Sequence, residues 1–295
     1  MRITERQYAT SVLTMSIRQR EVPTTMMTAE RRRQILDVLA ADTRAEVPAL
    51  AARFGVSEST IRRDLQVLSQ DGAVERTRGG AVPSSRFEPS FGEKETAHRA
   101  QKTAIARAAA DMVQPGQTVF LDAGTSTLEL ARILRARTDI TVATNSIPIA
   151  VELAQRLRLI ITGGQVKEQT LALVGPLAER SIEQMHVDIA FLGMNGIAAG
   201  AGLTTPTWEE AATKARMIAA GRTAVVLADS SKLGAVSFAR VAGLDEVDLL
   251  VTDEDAPPGE VEALQAAGLR VRVVPTAATT AAAPAPNRAR TEEDA

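Results

Sequence analysis

Cysteine is absent from this 295-residue chain, and histidine occurs only at His98 and His186. The chain therefore forms no disulfide and has no thiolate nucleophile, and two histidines are too few for a histidine-rich metal site. It also lacks the G-x-G-x-x-G and G-x-x-x-x-G-K-[ST] patterns of dinucleotide and nucleoside triphosphate sites. We predict neither a metal nor an organic cofactor.

Long apolar runs are missing as well. None reaches the roughly 18 residues that a bilayer-spanning helix needs, and residues 1–20 lack the apolar core of a signal peptide. These absences predict a soluble cytoplasmic protein without membrane contact. The formal net charge is only −2, so any affinity for nucleic acid must come from a local basic patch.

Residues 31–70 have the pattern of three short amphipathic helices. Apolar residues on one face mark the first helix, from 31 to 39. The second, 47–54, ends before Gly55, a residue suited to a left-handed C-cap. The third begins after Ser57, whose hydroxyl can cap it, and continues to about Gln70. Helix, tight turn and helix form a candidate helix-turn-helix.

The third helix has one apolar and one polar side. Ile61, Leu65 and Leu68 fall at i, i+4 and i+7 and should face a core. In helix-turn-helix proteins the N-terminal part of this helix meets base edges in the major groove, where arginine can bond guanine through two hydrogen bonds. We predict that Arg62 or Arg63 makes the base contact and that the other holds a phosphate. The predicted DNA-contacting residues here are Ser57, Ser59, Thr60, Arg62, Arg63 and Gln66.

A small hairpin follows the predicted helix stop at 71–72. Its strands, 74–77 and 81–82, flank a tip that contains two glycines, the pattern of a wing. Arg76 and Arg78 would lie beside the phosphate backbone. The N-terminal arginines that we add to the basic patch are Arg31, Arg32 and Arg33. Helix-glycine-helix patterns and solvated arginine pairs also occur in proteins that never touch DNA, but the combination with a wing favours DNA binding.

These residues resemble the DNA-binding part of the DeoR family of bacterial transcription regulators. Where many members have an aromatic residue and histidine before the paired glycines, this chain has Thr77 and Arg78. The resemblance rests on Arg33, Ile35, Leu36, Leu50, Ala51, Phe54, Val56, Ser57, the run Thr60 to Leu65 and the run Arg78 to Ala81.

Short apolar runs alternate with helical patterns through the remainder of the chain. This alternation predicts a largely parallel sheet, so the fold class is α/β: an N-terminal winged helix-turn-helix domain and a C-terminal α/β domain. The predicted strands are 119–121, 140–143, 159–161, 189–192, 224–228, 249–251 and 271–274.

Polar residues follow five of these strands, and ligands of open α/β sheets bind outside the carboxyl ends of strands. Gly124 lets the backbone approach a ligand closely, and the hydroxyls of 125–127 stand at a helix start that favours phosphate. Asp122 would repel phosphate, so we assign it to a sugar hydroxyl. The candidate ligand-binding residues are Asp122, Gly124, Thr125, Ser126, Thr127, Asn145, Gly163, Gly193, Glu210 and Lys232.

Lys232 can supply positive charge to this site, and Glu210 with Lys214 can close it as an i, i+4 pair. Each element also has a plainer interpretation: a helix cap at 125–127, a turn at Gly163-Gly164, and solvated ion pairs for the lysines. The clusters after five strands favour a binding site when they are taken together.

The C-terminal half also resembles the DeoR sensor domain. The resemblance implies a fold related to ribose-5-phosphate isomerase and sugar-phosphate deaminases, and phosphorylated sugars as effectors. It rests on Asp122, Gly124, Thr125, Thr144 to Ser146, Gly163, Gly164, Phe191, Gly193, Gly202 to Thr204, Glu210, Asp229 and Lys232.

At about 150 residues per domain, the length predicts two domains. We predict a DNA-binding domain at 28–83, a linker at 84–100 and an α/β domain at 101–275. Residues 1–27 are interpreted as a disordered extension or a start codon assigned too far upstream, and 276–295, rich in Ala, Pro and Thr, as a disordered tail.

The sequence predicts a DNA-binding regulator, and the resemblance to the DeoR family implies a repressor that releases operator DNA when a phosphorylated sugar binds. Because operators are usually palindromic, we expect a homodimer or homotetramer assembled through the C-terminal domain. One alternative is a sugar-phosphate isomerase or deaminase with a DNA-binding appendage, in which Glu210 is the base and Lys232 the electrophile. Another is a domain that binds a non-sugar anion or only a protein partner.

Overall fold

The computed structural model describes residues 28–42, 44–70, 73–84 and 90–276. The N-terminal extension, the helix stop at 71–72 and the tail beyond Thr276 lie outside the described residues. Among the helices that the structure describes, none is both long and apolar enough to cross a membrane.

The N-terminal domain is a winged helix. Its three strands form an antiparallel sheet in the order β1-β3-β2, in which Ala45 lies opposite Ala81. Strand β1 was not predicted, because two residues are too few to show an alternating pattern. The elements are α1 (Thr28–Asp42), β1 (Ala45–Glu46), α2 (Val47–Phe54), α3 (Glu58–Gln70), β2 (Val74–Thr77) and β3 (Gly80–Pro83).

The turn between α2 and α3 forms as its residues predict. Gly55 adopts φ 63°, the left-handed conformation that glycine permits, and its N–H donates to the Ala51 carbonyl. The Ser57 hydroxyl accepts from the Thr60 N–H at 3.2 Å and so caps α3. Ile61, Leu65 and Leu68 are buried, which confirms the predicted core side of this helix.

One part of the predicted basic patch is wrong. The Arg31 guanidinium is buried and its Nε donates to Asp64 Oδ2 at 2.7 Å, while Arg32 Nε donates to Asp64 Oδ1 at 2.9 Å. Asp64 is itself 1% exposed, and a buried carboxylate requires cationic partners. These two arginines therefore hold α1 against α3, with Arg31 buried and Arg32 partly exposed.

The C-terminal domain contains the following elements. They are α4 (Phe91–Thr96), α5 (Arg99–Ala110), β4 (Thr118–Leu121), α6 (Thr125–Leu134), β5 (Thr141–Thr144), α7 (Ile147–Leu153), β6 (Arg158–Ile161), β7 (Gln165–Lys167), β8 (Ala172–Val174), α8 (Pro176–Glu183), β9 (Val187–Leu192), β10 (Gly196–Ala198), β11 (Gly202–Thr205), α9 (Trp208–Ala220), β12 (Gly221–Leu227), β13 (Ala239–Ala242), β14 (Leu249–Asp253), α10 (Pro258–Ala266) and β15 (Val271–Val274).

Its main sheet has seven parallel strands in the order β15-β14-β12-β9-β4-β5-β6. All seven predicted apolar runs are strands of this sheet, which confirms the α/β class. Side chains of β4 alternate between two cores: Phe120 faces one, and Val119 and Leu121 face the other. The chain runs from β4 to β6 in one direction and from β9 to β15 in the other. Between β4 and β9 lies the switch point where such sheets bind ligands.

The segment predicted as a linker, 84–100, contains a helix. Ser90 and Glu93 form a capping box at the start of α4, in which the Ser90 N–H donates to Glu93 Oε2 at 2.8 Å. Helix α5 begins at Arg99, still within the predicted linker. Six residues are too few for a helical period to stand out in the sequence.

We expect Asp64→Ala to destabilise the N-terminal domain by about 3 kcal/mol, because two guanidiniums lose a carboxylate that is buried between them. Urea denaturation of the full chain measures the loss. Glu75→Ala removes an exposed carboxylate from β2 and should change stability by less than about 0.5 kcal/mol. Equal effects of the two substitutions would show that the buried pair contributes nothing.

Candidate DNA-binding surface and ligand cavity

Helix α3 presents a polar surface on the side away from its buried residues. Arg62 Nη2 donates to Glu58 Oε2 at 2.8 Å, whereas Arg63 makes no ion pair with any residue that the structure describes. Arg63 is therefore the cation of this helix that can bind a partner without first breaking a bond. The predicted residues that the structure leaves exposed on α3 are Ser59, Arg62, Arg63 and Gln66.

The hydroxyls at the start of α3 bond one another. Ser57 Oγ lies 2.8 Å from Ser59 Oγ and 2.9 Å from Thr60 Oγ1, and Thr60 is half-buried. This cluster orients the first turn of α3. Ser57 thus has a capping role in addition to any contact with DNA.

The wing carries two exposed arginines. Arg76 lies on β2, and Arg78 lies in the turn before Gly79, which has φ 95°. The Val47 N–H donates to the Gly79 carbonyl at 2.8 Å, so the wing tip is attached to the start of α2. A Cβ on Gly80 would stand 2.1 Å from the Ala45 carbonyl oxygen. Only glycine fits where β3 approaches β1.

A cavity of about 600 Å³ lies at the carboxyl ends of β4, β9 and β12. Its size is within the range of small-molecule sites. Four predicted residues do not line this cavity: Asp122, Thr127, Asn145 and Gly163. The predicted residues that line it are Gly124, Thr125, Ser126, Gly193, Glu210 and Lys232.

The loop after β4 presents hydrogen-bond donors to the cavity. Gly124 is the N-cap of α6, so the first N–H groups of that helix have no partner within the helix. The hydroxyls of Thr125 and Ser126 bond no residue that the structure describes, although both side chains are largely buried. Thr127 differs, because its Oγ1 donates to the Asp122 carbonyl at 2.6 Å. The backbone N–H and hydroxyl groups of this loop are donors of the kind that bind anions at helix N-termini.

Asn145 and Asp122 hold the loop after β4 in place through hydrogen bonds on the side away from the cavity lining. Asn145 Oδ1 accepts from the Ala123 N–H at 2.9 Å, and its amide donates to the Leu173 carbonyl at 3.2 Å. Asp122 accepts from Lys214 and, at 3.0 Å, from the Gly193 N–H. Asn145 and Asp122 therefore hold neighbouring strand ends together. Asp122 does not line the cavity, and its assignment to a sugar hydroxyl stays a prediction.

The buried carboxylates are paired across long sequence distances. Burial raises the pKa of Asp122, and Lys214 opposes this shift. Glu210 accepts from Lys167 Nζ at 2.5 Å and from the Thr207 hydroxyl at 3.3 Å. Glu210 and Lys214 both line the cavity, but they do not pair with each other, because each side chain binds a different buried partner from another element.

A second lysine on the cavity wall was missed. Lys102 of α5 is 4% exposed, and its Nζ lies 3.4 Å from Asp229 Oδ2. Burial lowers the pKa of Lys102, and Asp229 opposes this shift. Burial alone would raise the pKa of Asp229, but Lys232 and Lys102 together hold it below its ordinary value. A signal was present, because Lys102 shares a helical face with the buried Ile105.

We expect Lys214→Met to reduce the stability of the C-terminal domain by about 3–5 kcal/mol, since Asp122 would lose its cation while remaining buried. Thermal and urea unfolding measure the change. The double variant Asp122→Asn/Lys214→Met removes both charges and should recover part of the loss. If the double variant is no more stable than the single variant, the pair does not act as described.

Comparison with known proteins gives two matches that together span most of the chain. Residues 31–86 match the model of the DeoR-like helix-turn-helix domain. Residues 97–254 match the DeoR C terminal sensor domain.

Several relatives match over nearly their whole length. The transcriptional regulator GlpR of Haloferax volcanii is 40% identical over 249 residues, which cover 83% of this chain and 98% of GlpR. The transcriptional repressor GlcR of Bacillus subtilis is 35% identical, with coverage of 77% and 89%. Among solved structures, a ribose 5-phosphate isomerase from Methanocaldococcus jannaschii is 19% identical with a TM-score of 0.34, over 44% of this chain and 52% of that one.

Proposed function

The chain belongs to the DeoR family of DNA-binding transcriptional regulators, and from this premise we propose that it is a repressor that releases its operator when a phosphorylated sugar fills the cavity. The observation that carries the proposal is the loop of 124–126. It presents N–H groups and hydroxyls, for which the described residues provide no partner, to a cavity that buried lysines also line.

Operator binding rests on α3 and the wing. The N-terminal part of α3 enters the major groove, as in other helix-turn-helix proteins. Arg63 is the favoured base-contacting residue because no described carboxylate holds it, and Arg62 can reach a phosphate once it leaves Glu58. Arg76 and Arg78 contact the phosphate backbone from the wing.

The cavity favours an anionic ligand. Lys102 and Lys232 share one carboxylate, Asp229, so this wall keeps an excess of positive charge. Together with the N-terminus of α6, it attracts a phosphate group. Asn195 and Glu210 also line the cavity and offer partners for hydroxyl groups. A phosphate joined to a polyhydroxylated body satisfies both parts of the cavity.

Repression, as opposed to activation, and the oligomeric state of the protein are the remaining parts of the proposal. One relative, GlcR, is named a transcriptional repressor, which supports repression for this chain. The ligand weakens operator binding only if its affinity differs between the two conformations of the protein. We propose a homodimer or homotetramer formed through the C-terminal domain, because half-sites of a palindromic operator lie about one helical turn apart or a multiple of that.

Catalysis by Glu210 is not favoured. Its Oε2 accepts hydrogen bonds from Lys167, Thr205 and Thr207, which fix the carboxylate in place, and the relatives are named transcriptional regulators. We propose that the C-terminal domain binds its ligand without turnover. Aldose–ketose isomerisation of ribose 5-phosphate or glucose 6-phosphate that Glu210→Gln abolishes would contradict this.

Arg63→Ala should relax base preference at one operator position by roughly 1–3 kcal/mol, whereas Arg78→Ala should weaken all sequences alike and reduce the salt slope by about 1. Gel shifts with the DNA upstream of the gene, at several salt concentrations, measure both effects. Arg107→Ala, exposed on α5, is the matched control and should change neither. If Arg63→Ala loses specific and non-specific binding equally, Arg63 does not contact a base.

Ser126→Ala should leave operator affinity unchanged and weaken ligand-induced release about tenfold, because it loses a charge-assisted hydrogen bond to phosphate. The compounds to be tested as ligands are ribose 5-phosphate, fructose 6-phosphate, glucose 6-phosphate, glycerol 3-phosphate and inorganic phosphate. A ligand that binds the folded state raises Tm, and gel shifts report release.

Ser181→Ala is the control for this series, since Ser181 lies on α8 and does not line the cavity. An unchanged ligand response in Ser126→Ala would exclude the loop from the site. A panel in which no phosphosugar raises Tm would instead favour a different anion or a protein partner.

A further inference from the structure

Helix α4 forms part of the cavity wall although it lies outside both family matches, which end at residue 86 and resume at residue 97. Phe91, Lys94 and Thr96 line the cavity from this helix, and His98 lines it from the residue that precedes α5. A segment that appears in the sequence as a connection between domains therefore contributes to the ligand site.

One ion pair attaches α4 to the helix that begins at the anion loop. Glu95 of α4 accepts from Arg132 Nη2 of α6 at 2.5 Å, and Arg132 Nη1 also bonds Glu129 of α6 at 2.5 Å. Both partners of the Glu95–Arg132 pair are about one-third exposed, so the pair can open without unfolding the core. Phe91 packs against the core beneath it.

The opposite end of α4 is close to the DNA-binding domain along the chain. Only residues 84–90 separate Phe91 from the end of the wing strand β3 at Pro83. Leu36 of α1, which belongs to the DNA-binding domain, also lines the cavity. Residues of both domains therefore line the same cavity.

The junction between α4 and α5 has an unusual backbone. His98 adopts φ 51°, in the left-handed region that few residues other than glycine occupy. Such positions are sparsely populated and persist where the surrounding structure enforces them. His98 connects α4 to α5 and lines the cavity. A ligand in contact with His98 can therefore affect the angle between these two helices.

We propose that α4 is a ligand-contacting element of the effector site and the element through which occupancy of the cavity reaches the wing. The proposal rests on the proposed function, because it requires a ligand in the cavity. Coupling to operator binding requires that the ligand have different affinities for two positions of α4, and direct contact with this helix is the means by which we propose that it does.

The absence of cysteine permits a direct test of contact. Thr96→Cys places a single thiol at the cavity, and Arg107→Cys places one on the exposed face of α5 as the control. With the five ligands named above, any ligand that raises Tm should slow thiol modification of Thr96→Cys by at least about fivefold, in line with typical couplings, and leave Arg107→Cys unchanged.

A rise in Tm without protection of Thr96→Cys would overturn the role of α4 and leave the proposed function standing. If none of the five ligands raises Tm, the proposed function and the role of α4 fail together. The two readouts thus separate the failure of one from the failure of both.

Transmission is tested with Glu95→Gln, which keeps the side-chain shape and removes the charge that binds Arg132. Arg135→Gln is the control, because Arg135 pairs with Glu152 at 2.9 Å and forms no hydrogen bond or ion pair with α4 among the described residues. Both variants should keep the ligand-induced rise in Tm and the operator affinity of the free protein. Ligand-induced release should fall at least about threefold in Glu95→Gln only; full release in this variant would overturn the proposal.

Discussion

The ligand cavity depends on the pairing of buried carboxylates with lysines from distant elements. Asp122 is paired with Lys214, Glu210 with Lys167 and Asp229 with Lys102. A carboxylate transferred from water to a protein interior loses several kcal/mol of hydration, so each requires a cation and further hydrogen bonds. Because every pair joins two elements, the same bonds that neutralise these charges also fix the cavity walls relative to the sheet.

This internal neutralisation determines what remains for a ligand. Lys214 and Lys167 are occupied by their own carboxylates, so they contribute little attraction to an incoming anion. Lys232 adds a cation to the wall where Asp229 already has Lys102. The loop at 124–126 adds donors without charge. The proposed preference for an anion therefore rests on Lys232 and the start of α6 more than on the number of basic residues around the cavity.

Local patterns predict the fold better than the site. Apolar runs identified all seven strands of the main sheet, and capping residues identified the limits of α2 and the start of α3. The partners of charged residues are set by tertiary contacts: Lys214 and Asp122 are 92 positions apart, and Lys167 and Glu210 are 43 apart. No periodicity relates such positions, so helical spacing suggested a Glu210–Lys214 pair that the fold does not form.

In the DNA-binding domain, too, tertiary contacts determine the partners of charged residues. Arg31 and Arg32 count as basic residues in the sequence, but both bond the buried Asp64 and are used for packing. The slope of log K for DNA binding against log salt changes by about 0.9 for each phosphate contacted. A count of basic residues from the sequence therefore overestimates this slope. On α3 and the wing, Arg63, Arg76 and Arg78 form no ion pair with any described residue, whereas Arg62 is bound to Glu58. In the proposed binding mode, affinity for an operator therefore depends on the few arginines that α3 and the wing present, and not on every basic residue of the domain.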